Sequence, residues 1–268
     1  VKGDTGRLPA AFEAAKSENR AAFVAYLTAG DPDLARTVEL ARVLDRAGAD
    51  VLELGVPFSD PIADGPTLQR AASRALAAGT TLSGVLECAS EIRRRTNLAL
   101  VLFTYANPLF ARGIASAMRE ARRAGIDGVL LTDVPAEEAE EFVGPMAGAG
   151  LDPIFLVSPT SPEARMKAAA RLSRGFLYVI SRTGTTGEKR GLSPDLAATV
   201  RRARRAAPGL PVAVGFGIST APDAARVARL ADGVVVGSAL VACAEKAGCE
   251  AAEAVASFAA GISKACRR

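Results

Sequence analysis

At 268 residues, 49% of them hydrophobic and 23% charged, the chain can bury a large core and matches the size of one α/β barrel, about 250 residues. Its 33 basic and 29 acidic residues leave a formal charge of +4. The basic clusters, Arg93-Arg94-Arg95, Arg119 with Arg122 and Arg123, and the run at 201–205, read as solvated helix faces, with too few aromatics between them for a nucleic-acid platform. The chain has no histidine, which removes the usual general base near neutrality and the commonest zinc ligand, so proton transfer falls to carboxylates, Tyr, Lys or Cys.

In chain order, a helical pattern at 8–16 (Leu8, Phe12, Ala15) comes first and is expected to plug the bottom of a barrel. Eight apolar runs follow, at 22–28, 50–56, 99–104, 128–132, 153–157, 176–180, 212–216 and 233–236. Each is nearly continuous in its hydrophobicity, as strands buried on both faces are. Helical periodicity fills 35–47, 116–124, 137–147, 162–172, 196–206 and 222–230, and the long connection after strand two holds helices near 67–76 and 82–94. Residues 243–265 read as a closing helix. Arg46-Ala-Gly-Ala-Asp50, Arg123-Ala-Gly-Ile-Asp127 and Ala147-Gly-Ala-Gly-Leu151 each end a helix on Gly and enter a strand at once, like the bottoms of successive βα units. The pattern predicts a TIM (β/α)8 barrel with an extra N-terminal helix, one domain over 1–268. An open doubly wound sheet would need a Gly-rich dinucleotide loop after its first strand, and Ala29-Gly-Asp-Pro32 is not one.

Cys88, Cys243, Cys249 and Cys266 form no CxxC pair and read as reduced thiols. No apolar run approaches the ~18 residues that span a bilayer, and Val1-Lys2-Gly3-Asp4 opens no signal peptide. A soluble, cytoplasmic protein without a metal centre is expected.

Residues at the C-terminal ends of barrel strands form the active face of such a fold. Glu53 lies inside the apolar second strand, and Asp64 lies in the Pro/Gly-punctuated loop after it. A buried carboxylate is costly unless paired or tuned, and burial raises its pKa toward the range useful to a general acid. The competing reading makes Glu53 half of a structural ion pair and Asp60 and Asp64 ordinary turn residues. Tyr105 and Asn107 follow strand three, and Asp133 follows strand four. Tyr178 and Arg182 belong to strand six and its loop. Gly215-Phe-Gly217 and Gly237-Ser238 end strands seven and eight, where glycine backbones and a helix start can bind phosphate. The loop at 183–191 is either an exposed connection or a lid. Tyr26, Phe103, Leu130, Tyr178 and Phe216 are placed to line an apolar mouth.

These residues resemble the tryptophan synthase alpha chain family along essentially the whole chain. The segments that carry the likeness are Leu27-Thr-Ala-Gly-Asp-Pro32, Leu52-Glu-Leu-Gly-Val-Pro-Phe-Ser-Asp-Pro-Ile-Ala-Asp-Gly-Pro-Thr67, Tyr105-Ala-Asn107, Asp133-Val-Pro135, Ser181-Arg-Thr-Gly-Thr-Thr-Gly187, Gly215-Phe-Gly-Ile-Ser219 and Val236-Gly-Ser238. The resemblance implies cleavage of indole-3-glycerol phosphate to indole and glyceraldehyde 3-phosphate. It implies Glu53 as principal acid/base and Asp64 as acceptor from the indole N–H. It further implies Tyr26, Phe103, Tyr178, Thr186 and Phe216 against the substrate, and Gly187, Gly217, Gly237 and Ser238 around its phosphate. Pro57, Asp60 and Asn107 would face a beta chain in an alpha2beta2 heterotetramer, where pyridoxal phosphate belongs to the beta partner and no cofactor to this chain. Tyr26 and Phe103 depart from the family's more usual Phe and Leu. A stand-alone indole-glycerol phosphate lyase and a non-catalytic regulatory subunit are the competing functions; a Schiff-base aldolase would need a Lys in a strand, and none of the eight runs has one.

Overall fold

The computed structural model describes residues 6–181 and 193–268. Nine parallel strands run as β1 (Ala22–Thr28), β2 (Val51–Gly55), β3 (Ala99–Thr104), β4 (Gly128–Leu131), β5 (Asp152–Ile154), β6 (Leu156–Val157), β7 (Leu177–Ile180), β8 (Val212–Gly215) and β9 (Gly233–Val236). Their order is β5-β4-β3-β2-β1-β9-β8-β7-β6, so the two ends of the sheet are β5 and β6, which are consecutive in the chain. The sheet therefore closes on itself, and the fifth expected strand is the seam. It is split because the Phe155 N–H turns to the Ser173 hydroxyl (3.2 Å), while the Phe155 carbonyl accepts from the Tyr178 N–H (3.0 Å). The barrel expected from the alternating pattern is the observed fold.

Helices α1 (Arg7–Ser17), α2 (Leu34–Arg46), α3 (Pro66–Ala77), α4 (Leu82–Arg95), α5 (Ala106–Arg112), α6 (Ile114–Arg123), α7 (Glu140–Ala149), α8 (Glu163–Leu172), α9 (Leu196–Ala206), α10 (Ala221–Ala228), α11 (Ser238–Ala247) and α12 (Ala251–Ala265) complete the chain. Several starts are written locally. Asp33, Thr81 and Thr220 each accept a first-turn N–H, and Pro66 opens α3. The closing helix expected over 243–265 is instead two helices, broken where Gly248 takes φ +55°. The helix expected from 137 begins as a 3-10 turn, Ala136–Glu138, before α7. No helix among the described residues is long and apolar enough to cross a membrane.

Aspartates just before the strands, two of them in the recurring Gly-x-Asp units, have a physical role. Asp50 accepts from the Phe23 N–H at 2.7 Å, Asp127 from Leu100 at 2.8 Å and Asp232 from Val212 at 3.0 Å. Each carboxylate closes off an N–H at the bottom of a neighbouring strand and is paired with an arginine: Arg20, Arg93 and Arg204 respectively.

Alternation along each strand sends one set of side chains outward to the helices and the other inward. The inner set, including Ala22, Val24, Tyr26, Val51, Ala99, Val101, Phe103, Phe176, Tyr178 and Ala213, packs with Leu8, Phe12 and Ala15 of α1. Helix α1 is thus the expected plug, and small residues at the strand starts admit it. A Cβ at Gly128 would stand 2.7 Å from Leu8 Cδ1 and 2.8 Å from the Asp152 carbonyl oxygen, a backbone atom that cannot move aside cheaply. Gly128→Ala is expected to destabilise the fold by about 2 kcal/mol through overpacking. Gly144→Ala, inside α7 with open space around it, should be neutral or slightly stabilising. Urea unfolding of the two variants side by side checks both expectations.

Candidate active site

The inward alternation of β2 is Val51, Glu53, Gly55, and the register places Glu53 level with Tyr26 on β1 and Val101 on β3. Glu53 is 1% exposed. Among the described residues its Oε1 is the one buried side-chain oxygen or nitrogen with no hydrogen-bond partner. The ion pair of the competing reading is therefore not made. Burial alone pushes the Glu53 carboxyl up to about 8, so it is largely protonated near neutral pH.

Two tyrosines roof this position by the same device. The Tyr26 ring leans from β1 across Gly55, whose Cβ would fall 2.1 Å from the phenolic oxygen; Tyr178 leans from β7 across Gly215 at the same distance. Only glycine leaves room at those two strand ends. Phe103 meets Tyr26 edge-on at 5.2 Å, and Phe216 meets Tyr178 edge-on at 5.9 Å. The four rings form an apolar chamber above one carboxyl group.

Asp64 is 8% exposed and sits at the end of a turn fixed by its own N–H to the Pro61 carbonyl (3.0 Å) and by Gln69 Nε2 to its carbonyl (2.8 Å). Burial raises its carboxyl to about 6, against the opposing effect of a hydrogen bond from Tyr105. Tyr105 clamps the whole loop. Its hydroxyl accepts from the Ala63 N–H at 3.1 Å, and its ring packs on Phe58 at 5.1 Å. Sequence reasoning named Tyr105 on the active face after the third strand and in a family motif, without a contact to Asp64. Its spacing of 41 residues from Asp64 hides the contact, because nothing local in either segment encodes it. Asp60 is exposed and accepts from the Ser59 hydroxyl at 2.6 Å, as an ordinary turn residue does.

Tyr26, Glu53, Leu68, Phe103, Tyr178, Phe216, Gly217, Gly237 and Ser238 line a single cavity. The chamber and the glycine turns after β8 and β9 are thus parts of one site. Helix α11 begins at Ser238, so the positive end of its dipole lies at that cavity. Leu68, one turn of helix before Ala71 on the inner face of α3, was missed as a wall residue; its i, i+3 spacing with Ala71 was the available signal. Leu130 is buried in the inner core and does not line the cavity. Asp133 accepts from the Ala106 N–H at 2.9 Å, so it anchors the start of α5. Asn107 is exposed in the first turn of that helix, whereas Pro57 is buried. Arg182, Thr186, Gly187 and the loop at 183–191 lie outside the described residues.

The sequence model of the family described as "Tryptophan synthase alpha chain" matches residues 12–266. The chain belongs to the tryptophan synthase alpha chain family. It is 52% identical to the tryptophan synthase alpha chain of Solibacter usitatus over 236 residues, covering 88% of this chain and 87% of that one. The corresponding protein of Citrifermentans bemidjiense is 50% identical over 240 residues, 90% of each. Among solved structures, a chain of Mycobacterium tuberculosis tryptophan synthase superposes with a TM-score of 0.90 at 34% identity, over 99% of this chain and 100% of that one. The tryptophan synthase alpha chain of Legionella pneumophila gives 0.88 at 34% identity, over 98% and 97%. Membership in the tryptophan synthase alpha chain family makes this a lyase of tryptophan synthesis.

Proposed function

We propose that the chain cleaves indole-3-glycerol phosphate to indole and glyceraldehyde 3-phosphate, with Glu53 and Asp64 as its catalytic pair. The observation that carries this reading is the buried carboxyl of Glu53, its Oε1 unpartnered, in the same cavity as the glycine turns and the α11 N-terminus. Breaking the bond between indole C3 and the glycerol chain requires C3 to become tetrahedral first. Glu53 donates its proton to C3, and the positive charge that appears on the ring nitrogen is held by the Asp64 carboxylate, which accepts from the N–H. Glu53, now a carboxylate, takes the proton from the hydroxyl on the adjacent glycerol carbon. The carbon–carbon bond breaks, its electrons return to the ring, and the hydroxyl carbon becomes the aldehyde. The proton lent at C3 and the proton recovered from the hydroxyl balance, so neither metal nor organic cofactor is consumed.

Tyr26, Phe103, Tyr178 and Phe216 offer a flat apolar slot for the indole. Gly217, Gly237 and Ser238 offer backbone donors to the phosphate, with Gly187 assigned to the same end, and Thr186 to the substrate, by family likeness. A beta chain carrying pyridoxal phosphate is the proposed recipient of indole, in an alpha2beta2 assembly in the cytoplasm. Asp60 and Asn107 are exposed, and near them in sequence Ile62 (78% exposed) and Phe110 (50%) leave apolar surface uncovered.

The test is indole release from indole-3-glycerol phosphate by the purified chain, alone and titrated with a tryptophan synthase beta chain. Slow release that rises steeply with the partner is the expected outcome. Fast release without response to a beta chain would favour the stand-alone lyase, and stimulation of the beta chain without any cleavage would favour the regulatory subunit.

A further inference from the structure

Phe216 has φ +69°, the left-handed backbone region, which a side chain with a Cβ enters only at a steric cost. Such a residue persists only where its surroundings determine it from several sides. Two of those sides come from β7 and the residue that follows it. The Tyr178 ring packs edge-on against the Phe216 ring, and the hydroxyl of Ser181 donates to the Phe216 carbonyl oxygen. Ser181 is fully buried, and its own N–H donates to the Gly215 carbonyl at 2.9 Å, so its position is set by the sheet and not by the turn it holds.

The consequence follows from peptide geometry. In a trans peptide the carbonyl and the N–H on either side of the C–N bond point in opposite directions. The Phe216 carbonyl is turned to Ser181, so the Gly217 N–H is turned away from β7. Gly217 lines the cavity with Gly237 and Ser238, and Gly217 itself takes φ +81°. Without the Ser181 hydroxyl, the strained turn loses the contact that specifies which way this peptide faces. A flipped peptide would present a carbonyl oxygen, and so a repulsion, where an anion needs a donor.

We propose that Ser181 is a positioning residue of the phosphate end of the site, holding the Phe216–Gly217 peptide with its N–H aimed at the bound phosphate. The assignment rests on the proposed reaction for its biological meaning, but its test does not. Titration calorimetry with inorganic phosphate and with glyceraldehyde 3-phosphate on the full chain reads the peptide directly. Ser181→Ala is expected to weaken both about tenfold, to leave indole binding as in the wild type, and to raise KM for indole-3-glycerol phosphate by more than it lowers kcat. Ser181→Thr, which keeps the hydroxyl, should restore most of the phosphate affinity. The limbs of the pH profile should stay in place, because neither carboxyl group is touched.

Wild-type phosphate affinity in Ser181→Ala would overturn the proposal. Equal weakening of indole and phosphate binding together with a lowered Tm would also overturn it, since that is the signature of a merely structural side chain. If the wild type fails to cleave indole-3-glycerol phosphate, the reaction assignment falls, and the phosphate titrations still decide the role of Ser181.

Discussion

Glu53→Gln is expected to lower indole release from indole-3-glycerol phosphate by about 10³-fold or more while leaving the fold more stable than the wild type at neutral pH. Gln keeps the shape of the side chain but cannot deliver a proton to indole C3 or recover one from the glycerol hydroxyl, and positioned general acid–base catalysis is worth about 10²–10⁴-fold. Because Glu53 is assigned both steps, the loss belongs at the upper part of that range. Stability moves the other way. The carboxyl is raised to about 8 by burial, so the folded state favours its protonated form. Its contribution is fully present below the ordinary carboxylate range and is lost as pH rises through about 8. At pH 7.5 the wild type therefore carries a penalty of a few kcal/mol that Gln does not. Thermal unfolding at pH 5 and pH 8 checks this: the Tm advantage of the variant should widen with pH. A variant that retains a tenth of wild-type cleavage would remove Glu53 from its role.

The second large effect concerns Asp64. Its carboxyl, raised to about 6 by burial and restrained by Tyr105, is mostly ionised at pH 7.5, where Glu53 is mostly protonated. Both carboxyl groups act electrostatically on Tyr26, so environment alone sets two carboxyl groups around one ring to titrate apart. The profile of kcat/KM against pH should be bell-shaped, with an acid limb near 6 and a basic limb near 8 that report the pair as a whole. Asp64→Asn is expected to cost about 10²–10³-fold in kcat, since an amide can accept from the indole N–H but cannot compensate a full positive charge on the ring. The same substitution should erase the acid limb and leave the basic one. An acid limb that survives in Asp64→Asn would assign it to another group.

Both carboxylates were visible in the sequence as residue types in telling places, an acid inside an apolar strand and another in a glycine-rich loop. Residue type alone left open whether they were chemistry or structure, and only the likeness to the family assigned them to chemistry. For the two residues in isolation an ion pair was the stronger reading; the structure excludes it, since Glu53 lies level with Tyr26 with its Oε1 unpartnered. Asp133, named only as following a strand on the active face, anchors α5.

The strands and most of the helices follow from the sequence by itself, because their determinants are local. Continuous apolar runs, 3.6-residue periodicity, Asp33, Thr81 and Thr220 as caps and glycine at helix ends act over a few residues along the chain. Eight such alternations leave little choice but a closed barrel. The tertiary structure decided the rest: the seam at Phe155, set by a hydroxyl 18 residues away; the clamp of Tyr105 on a loop 42 residues upstream; and the hold of Ser181 on Phe216 across 35 residues. It also decided that the Glu53 carboxyl is raised to about 8, since desolvation is a property of what surrounds a group and not of its neighbours in the chain. Backbone preference is local and therefore written in order, whereas burial and polar pairing join distant residues and exist only once the barrel has closed.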